Sequence, residues 1–382
     1  MCGISGLYSE CEDAQNLDIK WIRRRGPDAS GYWRANDVNV QLSHVRLSIL
    51  DPSDAGNQPM ITKNKRVVMV FNGEIFNFLE LRSELKSRGV EFKGLSDSEV
   101  LLNLFALDGV SCFNRLNGIF AAAFWEQDKK ILTLVRDPVG VKPLYYSNNS
   151  GKFYFSSELK VLIRSGAIKP TLRPSSVLNY VSFLWSPGED TLINEAKKVL
   201  PGHVIQIKSG RIISDKSYRP LHFKKPLISG SLDDVVKSVQ ESLRIAVERQ
   251  MLSDAPLGAF LSGGLDSSTV VSYAQQHKKK YGTNLSDRFQ CFSIELEKNE
   301  LALEGFALDL PYAKRAAKHL DVDLNVVRAG SDMMDRLPEM LYFMDEPCPD
   351  PAALNTLLIA ELARSQGIKV LLSGAGGDDI FT

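Results

Sequence analysis

Apolar positions in the first half of the chain fall in short runs of strand length. Residues 119–125 and 131–135 are two such runs, separated by the polar stretch 126–130. Residues 153–155 add a third, and 204–207 with 211–213 flank Lys208-Ser209-Gly210, the composition of a hairpin turn. Two helical patterns lie among them. Phe78, Leu81 and Leu85 share one helix face, with Asn77 placed to cap it and Gly89 to stop it. Ser96, followed three residues later by Glu99, predicts a capping box ahead of the apolar stretch 100–107.

The second half has another rhythm. A helical pattern over 232–252 leads to a short apolar strand at 256–261, then Ser262-Gly263-Gly264 and a helix from about Asp266. Strands at 289–296, 324–327 and 369–372 alternate with helices at 312–320 and 352–366. That alternation predicts a doubly wound parallel sheet. The change of rhythm places a domain boundary at 220–231, where two prolines, a Lys pair and a Gly-Ser turn occur together.

Composition narrows the classes. The 382 residues are 44% hydrophobic and 24% charged, with a formal net charge of zero. No basic stripe argues for nucleic acid and no charge run for a membrane surface. No apolar run approaches a membrane span, and the N-terminus lacks the pattern of a signal peptide, so a cytoplasmic protein is expected. The five cysteines, Cys2, Cys11, Cys112, Cys291 and Cys348, are odd in number and form no C-x-x-C pair. That disfavours a disulfide framework and a structural zinc site. Cys2 stands apart by position. Once Met1 is trimmed, its thiol lies beside its own α-amine, whose reference pKa near 8 leaves a fraction neutral to act as a base.

Several blocks follow Cys2-Gly3-Ile4 in order. They are Arg25-Gly26-Pro27-Asp28, Ser43-His44-Val45-Arg46-Leu47-Ser48-Ile49, Phe71-Asn72-Gly73-Glu74-Ile75, Ser96-Asp97-Ser98-Glu99, the stretch from Arg136-Asp137-Pro138 to Lys142-Pro143-Leu144-Tyr145-Tyr146, and Phe155-Ser156-Ser157-Glu158. With these blocks the first half resembles the class II glutamine amidotransferases, and the whole chain resembles the glutamine-hydrolysing asparagine synthetase family. The resemblance implies Cys2 as nucleophile, with the Asn72 side chain and the Gly73 N–H as oxyanion donors. It implies a glutamine pocket in which Arg46 offers a bidentate fork to the carboxylate and Asp97 takes the ammonium, assisted by Asn72, Gly73 and Glu74. Each residue also has an ordinary alternative: Arg46 as a surface salt bridge, Asp97 as a helix cap, Asn72-Gly73 as a type I′ turn.

Leu261-Ser262-Gly263-Gly264-Leu265-Asp266-Ser267-Ser268 follows a strand and opens a helix, so small residues and a helix N-terminus can face an anion. It is neither a Walker A sequence nor G-x-G-x-x-G. It resembles the loop of enzymes that split ATP into AMP and pyrophosphate. Leu372-Ser373-Gly374-Ala375-Gly376-Gly377-Asp378-Asp379 matches the family's second nucleotide loop. The implied ATP site comprises Leu261, Ser262, Gly263, Gly264, Asp266, Ser267, Ser268, Ile294, Ser373 and Gly374, with Asp266 and Asp378 binding Mg²⁺. Asp345-Glu346-Pro347 also recurs in relatives, with a structural or a functional role open to it.

The expected fold is therefore an α+β N-terminal-nucleophile sandwich (αββα) over 2–215, followed by an α/β doubly wound ATP-pyrophosphatase-type nucleotide domain over 230–382. The expected substrates are glutamine, ATP and a carboxylate acceptor, aspartate first, and a homodimer is one assembly left open. Three features depart from the family pattern. Arg24 stands where histidine is common. Ala375 stands where asparagine-forming members carry Glu, which leaves room for a sugar or peptide carboxylate. The sequence ends just past the second loop, before the lysine that contacts the phosphates in relatives, so the expectation is an intact glutaminase half and an impaired second half. Two rivals are a phosphoribosyl amidotransferase, disfavoured by the 262–268 loop, and a remnant without synthetase activity.

Overall fold

The computed structural model describes residues 1–11, 14–219, 230–281, 288–296, 309–348, 350 and 352–381. Most of the expected boundary, 220–229, lies outside them. The chain divides into two compact units, Met1–Phe223 with Asp345–Pro347, and Lys224–Met344 with Cys348–Thr382.

Among its described residues the first unit holds twelve strands in two six-stranded sheets, paired antiparallel throughout. In chain order they are β1 (Gly3–Ser9), β2 (Ala29–Arg34), β3 (Asn39–Arg46), β4 (Met60–Ile61), β5 (Val67–Ile75), β6 (Gly118–Glu126), β7 (Ile131–Arg136), β8 (Tyr145–Asn149), β9 (Lys152–Ser156), β10 (Lys197–Lys198), β11 (His203–Lys208) and β12 (Arg211–Ser217). One sheet runs β10-β8-β9-β1-β3-β2, the other β12-β11-β7-β6-β5-β4. Ile4, Tyr8, Val40 and Leu42 from the first meet Val68, Val70, Ala121, Ala123 and Trp125 from the second in one buried cluster. Helix α2 (Asp97–Asp108) covers the second sheet, with the Phe105 ring stacked on that of Phe124 at 4.0 Å between centroids, and α1 (Phe78–Ser87) packs beside α2. Helix α3 (Leu159–Arg164) covers the first sheet through Leu159 and Leu162, which pack on Leu7 and Tyr154; the helix α4 (Pro174–Phe183) follows it. This is the four-layer αββα arrangement.

Side chains alternate across a strand, so residues two apart share a face. In β1, β3 and β5 the inward residues are even-numbered: Ile4 and Tyr8, Val40 and Leu42, Val68 and Val70. Carried one or two steps further, the same parity turns Cys2, His44, Arg46, Asn72 and Glu74 toward the space between the sheets. The apolar stripes become polar at one end of the sandwich, and the pocket forms there.

Two local expectations need correction. Asn77 makes no side-chain cap to α1; its amide instead donates to Arg115 O and accepts from Asn117 N, tying two loops together. Ser96 does cap α2 by accepting from Glu99 N, but the Glu99 carboxylate accepts from Lys93 N and Gly94 N, so the reciprocal half of the box is absent. Asn72-Gly73 is not a turn: both residues lie inside β5, paired with Ala121 and Phe120 of β6.

The second unit has a parallel sheet of β13 (Leu257–Phe260), β14 (Gln290–Leu296), β15 (Asp323–Ala329) and β16 (Val370–Leu372), in the order β15-β14-β13-β16. Helix α5 (Leu232–Gln250) opens with a full capping box between Ser231 and Asp234. Helices α6 (Leu265–Tyr281) and α7 (Asp309–Leu320) bury Val271, Ala274, Ala313 and Ala317 on one face of the sheet, against Ala259 and Cys291. A further helix, α8 (Leu337–Met344), precedes α9 (Ala352–Ser365), which packs Ile359 and Ala363 against Phe292 on the opposite face. Helices on both faces of a parallel sheet make it doubly wound, as the alternation of strand and helix predicts. The strand order reverses between β13 and β16, and in such sheets the crevice at the reversal is the usual ligand site.

Candidate functional site

The pocket at the polar end of the sandwich is lined by Met1, Cys2, Arg46, Leu47, Asn72, Gly73, Glu74, Asp97, Ser98 and Lys142, among others. Every glutaminase residue expected from the sequence lines it. The Cys2 thiol lies against the backbone of Leu47, whose N–H approaches Sγ at 3.4 Å while Sγ faces Leu47 O at 3.6 Å. Burial raises the thiol's pKa above its usual value, and the Leu47 contact opposes that. Met1 lines the same pocket. Its Sδ accepts from Lys142 Nζ at 2.9 Å, and burial lowers its α-amine to about 5.

Asn72 is 1% exposed, and neither its amide nitrogen nor its amide oxygen has a hydrogen-bond partner. A buried amide left unpaired on a pocket wall is costly unless a ligand completes it. Beside it, Gly73 lies so close to β6 that an added Cβ would stand 2.6 Å from Phe120 Cα. Only glycine lets the β5 backbone reach this place.

Asp97 begins α2 and accepts from Ile75 N at 2.9 Å, tying the helix to the end of β5. Burial raises its carboxyl to about 6. Burial, with Asp97 nearby, raises Glu74 to about 7. Arg46 is 5% exposed, which excludes a surface salt bridge. Its Nη1 donates to Ser53 O and Asn57 Oδ1, and its Nη2 to Leu50 O and Asp51 O. The fork expected to face a carboxylate is thus turned onto the 50–57 loop, which presents four acceptors to it. Arg46 brings positive charge to the pocket wall and shapes the loop beside it.

Sequence reasoning missed the role of Lys142. Asp137 accepts from the backbone N–H groups of Phe120, Val139, Val141 and Lys142, and Arg136 donates to the carbonyls of Gly140, Lys142 and Val199. That tight turn aims Lys142 into the pocket, where burial lowers its pKa against the pull of Glu74. The signal was present in the Arg136-to-Tyr146 block, but nothing local said which residue faced the site.

In the second unit, the loops after β13 and β16 face each other across the reversal of strand order. Ser262, Gly264, Asp266, Ser267, Ser373, Gly374, Ala375 and Asp378 line one cleft. Ser262 Oγ and Ser267 Oγ lie 2.9 Å apart, and Gly263 holds φ at +87° where a Cβ would strike Tyr312. The second loop ends in the short helix α10 (Gly377–Phe381), and a Cβ on Gly377 would overlap the Asp266 carboxylate. The structure thus brings together two loops more than a hundred residues apart. It does not bring every expected residue to the cleft wall. Leu261 is buried in the core, Ser268 lies inside α6, and Ile294 packs with Phe292 on the face covered by α9. Among the described residues no group of three or more His, Cys, Asp or Glu could hold a metal ion, and no helix is long and apolar enough to cross a membrane.

Comparisons with known proteins match a known domain over most of each unit. Residues 1–219 match the glutamine amidotransferase domain, and residues 238–382 match the asparagine synthase domain. The chain is 34% identical to asparagine synthetase (glutamine-hydrolyzing) 1 of Bacillus subtilis over 100% of its own length and 58% of the relative's. It is 30% identical to asparagine synthetase (glutamine-hydrolyzing) 3 of the same organism over 100% of this chain and 63% of the other. It is also 30% identical to amidase chry2 of Gibberella zeae, over 99% and 56% of the respective chains. The chain spans less than two thirds of the length of these relatives. By its domain matches and its curated relatives, the chain belongs to the glutamine-hydrolysing asparagine synthetase family of class II amidotransferases.

Proposed function

We propose that the chain hydrolyses glutamine in the first unit's pocket and uses ATP in the second unit's cleft to amidate a carboxylate with the ammonia released. The observation that carries this reading is the unpaired, buried Asn72 amide on the wall that also holds Cys2. Once Met1 is removed, the freed α-amine of Cys2 takes the thiol proton and Sγ attacks the amide carbon of glutamine. The developing oxyanion receives hydrogen bonds from Asn72 Nδ2 and the Gly73 N–H. The carbon–nitrogen bond breaks, ammonia leaves with the proton, and water hydrolyses the thioester to glutamate. Asp97 and Glu74 attract the substrate ammonium, and Arg46 supplies the positive field for its carboxylate.

In the cleft, the loop N–H groups and the Ser262, Ser267 and Ser373 hydroxyls suit the phosphates of ATP. Asp266 and Asp378 form a two-carboxylate donor set that suits Mg²⁺ shared with phosphate oxygens, where the ion would offset the charge of departing pyrophosphate. The acceptor carboxylate displaces pyrophosphate from the α-phosphate, and ammonia then displaces AMP to give the amide. Aspartate is the proposed acceptor. Ala375 on the cleft wall favours a second reading, in which the acceptor is another carboxylate, because a methyl group cannot anchor an amine.

The test is glutamine hydrolysis by the purified chain, with mass spectrometry to verify the loss of Met1, beside Cys2→Ala. Hydrolysis abolished in the variant is the expected result. Equal rates in the two proteins would remove the reading. Pyrophosphate release with aspartate, compared with other carboxylates, separates the two acceptors.

A further inference from the structure

Behind the pocket, buried charges run in a row away from the nucleophile. Arg25 Nε donates to the Cys2 carbonyl at 2.8 Å, and Arg25 Nη1 meets Glu158 Oε1 at 3.0 Å. The other oxygen of Glu158 accepts from Lys160 Nζ at 2.6 Å, and Lys160 Nζ meets Asp345 Oδ1 at 2.9 Å. Side-chain exposure along the row is 13%, 11%, 10% and 5%, so none of the four charges is well hydrated. Asp345 is held in turn by the backbone N–H groups of Leu159 and Lys160, at 2.7 and 3.2 Å, and Glu346 accepts from Leu192 N at 3.0 Å. Asp345–Pro347 counts within the first unit although it lies far along the chain.

We propose that Lys160 and Asp345 are positioning residues for Cys2, acting through Glu158 and Arg25 to fix the Cys2 carbonyl and hence the direction of its thiol. The proposal rests on the reading of Cys2 as the nucleophile. The physical argument is the alternation of sign. A lone buried ion pair repays its desolvation poorly, whereas in an alternating row each inner charge has an opposite charge on both sides. Glu158 is the shared member. It divides its two oxygens between Arg25 and Lys160, so its position depends on how firmly Asp345 holds Lys160. Without Asp345, Lys160 keeps Glu158 as its one carboxylate in the row and draws it from Arg25, which loosens Arg25's grip on the Cys2 carbonyl. Without both Lys160 and Asp345, Glu158 loses the partner that orients it. In either case the thiol loses a fixed backbone beneath it. A purely structural role would change stability and leave the folded protein's chemistry intact.

The test uses the full chain with Met1 removed and four proteins beside the parent: Asp345→Asn, Lys160→Met, the two combined, and Lys160→Arg. Two rates are read on the folded fraction: alkylation of Cys2 by iodoacetamide, followed at the Cys2 peptide by mass spectrometry, and kcat and KM for glutamine hydrolysis. The three charge-removing variants are expected to lose about tenfold in both alkylation rate and kcat with KM unchanged, well short of the about hundredfold that a 1 Å misplacement can cost. Lys160→Arg, which keeps the row, is expected to retain the parent rates. Parental alkylation and kcat in any folded charge-removing variant would overturn the proposal. Should Asp345→Asn fail to fold, the combined variant, which leaves no unpaired buried charge at that end, decides the question by the same readings. A parent that hydrolyses no glutamine rejects the glutaminase reading, while slowed alkylation in the variants would still support the positioning role.

Discussion

At the residue scale, the pocket's chemistry comes from groups whose ordinary behaviour is displaced by burial. Asp97 and Glu74 have carboxyls raised to about 6 and about 7, so near neutral pH both stand close to their titration points. An acid whose folded pKa lies above its unfolded value favours folding at low pH, and that contribution is lost as pH rises through the folded value. Binding of a substrate ammonium has the opposite sign, since only the ionised carboxylates attract it. Glutamine affinity of the Cys2→Ala variant, measured by calorimetry from pH 5 to 8, is expected to rise with pH and level off above about 7. It should fall by up to roughly tenfold per pH unit between about 7 and 6, where one proton is taken up, and below about 6 toward roughly a hundredfold per unit for two. Affinity independent of pH over this range would remove Asp97 and Glu74 from the ammonium site. The residues themselves were legible only through resemblance. Asn72-Gly73, by itself, fits a turn as well as an oxyanion site, and only its place inside β5 excludes the turn. Lys142, Arg25, Glu158 and Lys160 escaped notice as a group because, Glu158–Lys160 apart, their partners lie tens of residues to more than a hundred away.

At the scale of elements, the strands found from periodicity were those with a dense apolar run, such as β6 and β7, and every strand of the second unit. Strand β1 went unread because it is buried on both faces while carrying Ser and Gly, which erases the alternation that marks a half-exposed strand. Strand β5 went unread because its apolar start runs into a dipeptide that favours turns. The pairing of β5 with β6 also makes a firm demand on Gly73. Replacement by Ala would place Cβ 2.6 Å from Phe120 Cα, and the two strands must part to admit it. Gly73→Ala is expected to cost about 1–3 kcal/mol, the usual range for overpacking, and to suppress glutamine hydrolysis in the fraction that folds. Urea unfolding beside the parent checks the first effect. A denaturation midpoint equal to the parent's would show that the strands accommodate a methyl group.

At the scale of the whole molecule, each unit has its own buried core and its own candidate site, so ligands of the two sites should leave separate marks. Amide hydrogen exchange with and without ATP and Mg²⁺ would read this directly. Slower exchange is expected at 262–268 and 373–378, the two loops that face the cleft. A ligand at about a hundredfold above its Kd stabilises the state it binds by about 2.7 kcal/mol, enough to see if those loops open locally. No change at either loop would argue that the cleft does not take ATP. A division into two parts is what the change of rhythm along the sequence leads one to expect. The reversal of strand order that brings the two loops together was not legible, because strand order depends on pairing that no local pattern encodes.

Met1 lies in the pocket, with its sulfur beside Lys142 and its amine buried. On the proposed reading of Cys2 as nucleophile, Met1 is a stopper, and the Cys2 amine is freed only when that methionine is removed. An affinity handle fused ahead of Cys2 would act as a permanent stopper. Material purified on such a handle is expected to hydrolyse no glutamine, and on that reading its silence would say nothing about the protein with Cys2 at its N-terminus.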